Sequence, residues 1–338
     1  MGKIRLMSLL FMACVAGAAI SQDVRPAMPI TPTHSAAERG TRLVLLGTAG
    51  GPFIMARRSK TAYLLVVDGR PYLIDCGEGT TTQLKKANFD PTEIARVFLT
   101  HLHLDHTMGL ASLVGANWVS GKRQPMEIYG PPGTSTLVSN AVEYLSIPAA
   151  IHSAEFPPHP TMAQITHGHD WDVPGKEMVY QDDKIRVYAV ENTHYQTMHM
   201  GKQAYGNVKS YSYRVETPDR VIAFTGDTGP SAAVNDLVKG ADVLVSEVLD
   251  LDATAASIKK VFTSATDAQL QPLLHHMEVE HLVPEEVGKM ADKAGVKLVV
   301  LSHLAPGDDD IRSSLGYSNG VRKFFKGAVV VGEDLDQF

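Results

Sequence analysis

Four side chains of the kinds that bind divalent metals lie within six consecutive residues of this 338-residue sequence. They follow the apolar run RVFLT in the segment THLHLDHTMGL and are His101, His103, Asp105 and His106. In an extended segment alternate side chains share a face, which places His101 and His103 on one side. Asp105 and His106 lie beyond a turn, where they can serve a neighbouring metal. Three imidazoles and a carboxylate suit zinc above other ions, so the cluster predicts a metal site.

Further metal-ligand side chains follow other strand-like runs. His194 comes after KIRVYAV, Asp227 after RVIAFT, and His303 after KLVVL. Taken singly, a histidine at a strand end is often structural and an aspartate at a turn is commonplace. Four ligands do not fill two hydrolytic metal sites, however, and a carboxylate such as Asp227 can bridge two cations about 3.5–4 Å apart. The placement of all three residues therefore favours a two-metal site.

The elements that must position these residues are β-rich runs with helices between them. The dipeptide Asp68-Gly69 joins two such runs within residues 63–79 and is a strong signal for a β-hairpin. Residues 284–295 carry apolar side chains at helical spacing behind Pro284, with a glycine as the stop signal. Strands in both halves of the chain predict an α/β (α+β) fold in which two packed sheets are flanked by helices.

The chain is expected to divide into an export segment, a linker and one catalytic domain. Residues 1–22 combine a basic start, a short apolar run and small residues, which is typical of a secretory signal peptide. Residues 23–41 are interpreted as a proline-containing linker and residues 42–338 as the domain. Within it, residues 146–183 are rich in proline and histidine and predict an insertion, either an active-site rim or a surface loop. We therefore expect a periplasmic or secreted protein without a membrane span.

Cysteine content and charge narrow the expected partners. Cys14 lies inside the apolar run, where lipidation is an open alternative. Cleavage of the signal peptide would remove Cys14 and leave Cys76 with no disulfide partner. Cys76 is interpreted as a buried residue at a strand end. The formal net charge of −6 argues against a surface that collects nucleic-acid backbones. The expected partner is a small-molecule substrate, and no nucleic acid is expected.

The motifs together resemble those of one enzyme family. The segments LGTAGGP, DCGEGTTTQL, THLHLDH, ENTHY, FTGDTG and SHLAP occur in the order found in the metallo-β-lactamase superfamily. Within it the chain is most similar to the branch of ribonuclease Z, arylsulfatases of this fold and related phosphodiesterases. The resemblance covers roughly residues 42–335 and implies a four-layer αββα sandwich with its ligands at one sheet edge. Members of this family often dimerise, so a homodimer stays open.

The resemblance implies which residues would hold two divalent ions, zinc in the expected case. The ligands of the first ion would be His101, His103 and His194. Those of the second ion would be Asp105, His106 and His303. Asp227 would bridge the two ions, and Asp75 would orient the ligand-bearing loop without binding metal.

Catalysis is assigned on the same grounds. Asp105 and His281 are the predicted catalytic residues, and His281, in HLVPEE, would protonate the leaving oxygen. The alternative for His281 is a capping role at the helix that follows it. His275 and His276 are interpreted as surface residues, because neither has a partner at a metal-binding spacing.

The reaction that these assignments predict is attack by a metal-bridging hydroxide, with phosphodiester or sulfate esters as the leading substrates. The alternative activity is hydrolysis of a lactone or β-lactam at the same site. A third possibility is that the protein binds metal without catalytic activity. Only about thirty residues separate His194 from Asp227, which leaves no room for the arm with which ribonuclease Z grips transfer RNA. This departure predicts that the chain does not process transfer RNA.

Overall fold

Apolar, β-branched runs form two sheets in the computed structural model, which describes residues 39–198, 200–307 and 311–338, the side chains of 311–313 excepted. The first sheet has six strands in chain order: β1 (Thr41–Gly47), β2 (Ala62–Val67), β3 (Arg70–Ile74), β4 (Arg96–Phe98), β5 (Met126–Gly130) and β6 (Thr166–Asp170). The second has seven, also in chain order: β7 (Glu177–Gln181), β8 (Arg186–Glu191), β9 (Tyr211–Glu216), β10 (Val221–Phe224), β11 (Val243–Leu249), β12 (Leu298–Ala305) and β13 (Ala328–Val331).

Helices connect these strands in the described part of the chain. They are α1 (Thr80–Lys86), α2 (Leu104–Thr107), α3 (Leu110–Val119), α4 (Thr134–Tyr144), α5 (Ser146–Ser153), α6 (Met162–Ile165), α7 (Ala232–Leu237), α8 (Leu251–Val261), α9 (Asp267–Val279), α10 (Pro284–Ala294) and α11 (Ile311–Arg322). A short 3-10 helix covers Pro91–Glu93. The helix predicted over residues 284–295 is α10. It buries Val287 and Met290, and Gly295 ends it in a left-handed conformation, φ 67°.

Both sheets are mixed. Strands β1 to β3 are antiparallel and β3 to β6 are parallel, whereas β7 to β10 are antiparallel and β10 to β13 are parallel. The turn between β2 and β3 has Asp68 at φ 47° and Gly69 at φ 79°, the conformation that a two-residue hairpin of type I′ requires. The predicted hairpin is therefore confirmed.

The sheets pack face to face with helices on their outer sides. Side chains of both sheets meet in one buried cluster, in which Leu43 and Tyr63 of the first sheet join Tyr213 and Phe224 of the second. A second cluster lies between the first sheet and α1, α3 and α4. A third lies between the second sheet and α7, α10 and α11. Because each sheet is covered on both faces, its central strands are largely apolar, and the predicted four-layer αββα sandwich is confirmed.

Residues 146–183 are more regular than the insertion predicted there. Helices α5 and α6 occupy the first half, but β6 pairs with β5 in the first sheet and β7 pairs with β8 in the second. The second half of the segment thus supplies one edge strand to each sheet. The sequences THGHD and EMVYQ lack an apolar run because edge strands are only partly buried. Cys76, in contrast, is buried as predicted.

The predicted signal peptide, residues 1–22, and the linker as far as residue 38 lie outside the described residues. Among the helices that the structure describes, none has the length and apolar character needed to cross a bilayer.

Candidate metal centre

Strand ends bring the seven predicted metal ligands to one edge between the two sheets. His101 and His103 follow β4, and the short helix α2 carries Asp105 and His106. His194 follows β8, Asp227 follows β10, and His303 lies near the end of β12. The first four come from one sheet and the last three from the other. The side chains meet in two groups that both contain Asp227.

The first group contains three imidazoles and the shared carboxylate. Its members, whose ligand atoms lie within 4.8 Å of one another, are His101, His103, His194 and Asp227. Nδ1 of His103 is 3.0 Å from Nε2 of His194. Oδ2 of Asp227 is 3.7 Å from Nε2 of His101 and 3.7 Å from Nε2 of His194. These separations leave room for one cation among the four side chains.

The second group contains two imidazoles and two carboxylates. Its members are Asp105, His106, Asp227 and His303, with ligand atoms again within 4.8 Å of one another. Nε2 of His303 is 3.0 Å from Oδ2 of Asp227 and 3.2 Å from Oδ2 of Asp105. Nε2 of His106 is 3.3 Å from the other oxygen of Asp227. Asp227 is therefore placed as a bridging carboxylate would be.

Besides Nδ1 of His303, three buried polar atoms in these groups make no hydrogen bond to a described residue. They are Nε2 of His101, Nε2 of His106 and Oδ1 of Asp227. A buried donor or acceptor without a partner costs about 1–3 kcal/mol, so such atoms need an explanation. The imidazole and carboxylate donor set is the one that zinc prefers, and a cation in each group would satisfy the three atoms. The residues therefore fit two divalent cations.

The charges around the groups support cation binding. Burial lowers the pKa of His103 to about 4 and that of His101 well below its usual range, which keeps both imidazoles in the neutral form that binds metal. Burial also acts on His303, but there the carboxylates of Asp227 and Asp105 prevail and raise its pKa to about 10. The concentrated carboxylates thus favour positive charge at this position.

The ligand side chains are held from behind by further hydrogen bonds. Asp75 accepts from the backbone N–H of Thr100 at 2.7 Å and from Nδ1 of His106 at 2.9 Å. Its predicted role in orienting the loop is confirmed. His194 donates through Nδ1 to the carbonyl of Glu280 at 3.2 Å. Such contacts fix the ring orientation and leave the other nitrogen for a metal.

A glycine loop between β1 and β2 closes one side of the second group. A Cβ on Gly51 would lie 2.6 Å from Oδ2 of Asp105, and one on Gly50 would lie 2.9 Å from the ring of His303. The buried ammonium of Lys60 donates to the carbonyl oxygens of Gly50 and Phe53 and so fixes the loop. The close approach explains why the motif LGTAGGP contains two glycines at this point.

His281 faces the same cavity as the two groups. Its Nδ1 donates to Oε2 of Glu247 at 2.6 Å, and the side chains of both residues are buried. Burial lowers and Glu247 raises the pKa of His281, and Glu247 prevails. The alternative of helix capping is wrong, because the cap position of α10 is Val283. Glu247 was missed in the sequence. Its one signal was that it lies near the end of β11, as the metal ligands do on their strands.

The interpretation of His276 as a surface residue is wrong. His275 is exposed, with 58% of its side chain accessible, whereas the side chain of His276 is 16% accessible and lines the cavity. Nδ1 of His276 donates to the buried carboxylate of Glu280. Neighbouring positions on α9 point in different directions, so that only one of the two adjacent histidines reaches the site.

The cavity beside the two groups has a volume of about 500 Å³. Beyond the polar residues described above, its wall is formed by apolar side chains, among them Leu104, Met198, Leu273 and Met277. No lysine or arginine of the described chain lines it, and no residue of 146–183 does so either. Residues 146–183 therefore do not form the rim of this cavity.

Comparison with known proteins identifies related chains along most of the sequence. A sequence model described as the Beta-lactamase superfamily domain matches residues 70–304. A ribonuclease Z of Methanosarcina mazei is 26% identical over 87% of this chain and 96% of its own length. A ribonuclease Z of Bacillus velezensis is 28% identical over 78% of this chain and 87% of its own length. The crystal structure of the short form of human tRNase Z superimposes with a TM-score of 0.59, at 22% identity over 88% of this chain and 98% of that one.

The prediction that no nucleic acid is expected is wrong in the light of these relatives. They are ribonucleases by name, and they match the chain over most of their own length. Net charge was a poor guide because it sums the side chains of the whole surface, whereas bound cations would add positive charge at the cavity itself. The matched segment, residues 70–304, is more than two thirds of the chain. This protein is a hydrolase that belongs to the metallo-β-lactamase superfamily.

Proposed function

We propose that this chain is a metal-dependent phosphodiesterase that uses two divalent cations, with RNA as its substrate class. The observation that carries the proposal is the position of Asp227, which lies in both ligand groups and has a buried oxygen without a hydrogen-bond partner among the described residues. The similarity to ribonucleases Z supports RNA as the substrate class. Sulfate esters, which share the geometry of the phosphoryl group, are the nearest competitors.

The two ligand groups support a proposed assignment of each residue to a cation. His101, His103 and His194 would hold the first, Asp105, His106 and His303 the second, and Asp227 both. Two divalent cations in these positions, zinc by their donor set, supply an activated water for attack on phosphorus and positive charge for the phosphoryl oxygens. The donors are held in place by Asp75 and by the glycine loop that Lys60 fixes.

His281 supplies the proton that the departing oxygen needs. Nδ1 is occupied by Glu247, so that Nε2 is the atom that can reach a leaving group in the cavity. Glu247 stabilises the protonated imidazole and fixes its orientation. A phosphodiester requires this assistance because its alkoxide leaving group is strongly basic. A β-lactam nitrogen also takes up a proton when the ring opens, so the pair of Glu247 and His281 supports acid-assisted hydrolysis in general, and the similarity to ribonucleases Z supports the phosphodiester.

A comparison of substrates on the metal-loaded protein tests the proposal. Bis-p-nitrophenyl phosphate and a short RNA with a 3′ extension are expected to be hydrolysed faster than p-nitrophenyl sulfate, nitrocefin or a homoserine lactone. Asp227→Asn is expected to lose bound metal and to slow hydrolysis by more than about 100-fold, because it removes a ligand that both cations share. The exposed Asp236→Asn is the matched control. Unchanged metal content and turnover in Asp227→Asn would refute the site.

Export remains a separate proposal. The basic residues Lys3 and Arg5 and the apolar run from Leu6 to Ala19 support residues 1–22 as a signal peptide. The protein recovered from the periplasm or medium of the expressing cell is expected to begin between residues 19 and 23. Mass spectrometry of the N-terminus checks this, and an intact Met1 in protein confined to the cytoplasm would contradict export.

A further inference from the structure

Two histidines in the cavity wall share the same arrangement. Nδ1 of His281 donates to Oε2 of Glu247, and Nδ1 of His276 donates to Oε2 of Glu280. Each carboxylate also accepts a hydrogen bond from a backbone N–H, which fixes it in turn. An imidazole whose Nδ1 is held by a carboxylate presents Nε2 as a ligand, which is the usual surrounding of histidines that bind zinc. The cavity therefore contains a second carboxylate-imidazole pair that the proposed reaction does not use.

The two imidazoles are close enough to share one ion. The ring centres of His276 and His281 are 5.3 Å apart, and the ring of His194 lies about 5 Å from each. One ligand atom from each of these three residues lies within 4.8 Å of the other two. His194 is already engaged, since Nε2 is 3.0 Å from His103 and Nδ1 donates to a backbone carbonyl. His276 and His281 remain as the two available ligands.

We infer that a third divalent cation, zinc by its donors, binds between His276 and His281, apart from the two groups that share Asp227. Glu247 and Glu280 place two negative charges behind the imidazoles and so offset the charge of the ion. With two protein ligands the site is open, and water completes the coordination of the ion. The third ion is therefore bound more weakly than the other two.

The third cation inhibits hydrolysis. It occupies Nε2 of His281, the atom assigned above to protonation of the leaving oxygen, and it fills space in the cavity beside His194. This inhibition rests on the function proposed above, whereas the binding of the ion does not. The two can therefore be measured separately.

Counting bound metal in the full chain tests the binding. Metal-free protein is dialysed against increasing zinc, and bound zinc is measured by mass spectrometry of the elements. The wild type is expected to bind three equivalents and His276→Gln two. Glu280→Gln should weaken the third equivalent by about 10–100-fold, because it removes the carboxylate that orients His276. His275→Gln, at the exposed neighbouring position, is the matched control and should bind three.

The inhibition is scored as the ratio of rates with and without excess zinc within each variant, so that basal activities need not agree. Excess zinc should slow the wild type and His275→Gln but not His276→Gln. Two equivalents in the wild type, or three in His276→Gln, would overturn the third site. Loss of the third equivalent in His167→Gln would also overturn the site. His167 and His169 flank Glu127 at an exposed strand, and this result would place the third ion there. If the protein hydrolyses no phosphodiester, the proposed function is refuted. The count of bound zinc still decides whether the third site exists.

Discussion

In the proposed reaction, His281 and Glu247 would serve proton transfer, and other residues would bind the metals. Neither residue belongs to the two groups that share Asp227, yet His281 lines the same cavity, with its Nδ1 fixed by a carboxylate at 2.6 Å. A substitution at His281 should therefore change the leaving-group step and leave both shared-group metals in place. The leaving-group step and metal binding can therefore be tested independently by substituting single residues.

His281→Gln is expected to slow hydrolysis of a dialkyl or nucleoside phosphodiester by about 100-fold or more, the usual contribution of a general acid. Hydrolysis of bis-p-nitrophenyl phosphate should fall much less, because p-nitrophenolate leaves without a proton. Glu247→Gln should show the same pattern in weaker form. Steady-state rates with both substrates and the content of the two tight metals are the measurements. His275→Gln serves as control, and an equal loss on both substrates would exclude the acid role.

The residues that could be predicted from sequence are those whose signal is local. Three imidazoles and a carboxylate within six residues stand out in any chain, and strand-end positions indicated the remaining ligands. Glu247 and Glu280 could not be assigned, because each acts on a histidine through a contact that depends on the packed structure. Glu247 lies 34 positions before His281 in sequence, a spacing that predicts no contact between the two residues.

At the scale of elements, the glycine loop between β1 and β2 is the part that most directly constrains a metal group. Gly51→Ala would place a Cβ within 2.6–2.8 Å of the carboxylate of Asp105, closer than such atoms approach in folded proteins. Asp105 must then move, and we expect the second cation to bind at least about tenfold more weakly while the first is retained.

Zinc titration of the metal-free variant measures that affinity. Gly175→Ala is the control, since a Cβ there meets no atom within 4 Å. Wild-type affinity for both cations in Gly51→Ala would show that the loop can yield and does not position Asp105.

The hairpin between β2 and β3 should affect stability without affecting the site. Gly69 has φ 79°, a conformation that costs a residue with a Cβ about 1–2 kcal/mol. Gly69→Ala is expected to lower the free energy of unfolding in urea by about that amount and to leave metal content unchanged. A loss of bound metal in the folded variant would contradict the independence of the hairpin from the ligand groups.

Elements with buried strands could be predicted from sequence, whereas the edge strands β6 and β7 could not. The runs that became β10 to β12 are strongly apolar because both faces of those strands are covered. Strands β6 and β7 carry histidine, aspartate and glutamate, since most positions of both strands are partly or fully exposed. Their polar sequences suggested an insertion where the chain in fact completes both sheets.

At the scale of the molecule, the proposed cations would tie the two sheets together. The first sheet supplies Asp105 and the second His303, 198 positions later, and their side chains are 3.2 Å apart. An ion that binds only the folded state stabilises it, by about 2.7 kcal/mol at a free concentration of 100 times its dissociation constant. Removal of metal by a chelator is therefore expected to lower the unfolding temperature by several degrees, and zinc should restore it.

Thermal unfolding followed by circular dichroism, with and without zinc, measures this difference. Asp227→Asn should show little change between the two conditions, because its sites no longer retain the ions. An unfolding temperature independent of metal in the wild type would mean that the ions do not link the sheets.

Asp105 and His303 lie 198 positions apart in the sequence, and this spacing determines when the protein can become active during its synthesis. A ribosome completes the second ligand group only on reaching residue 303, nine tenths of the way along the chain. Nascent chains, and fragments cut by proteases before that point, lack the complete pair of ligand groups. A chain that ends before residue 303 is therefore expected to be inert as a hydrolase.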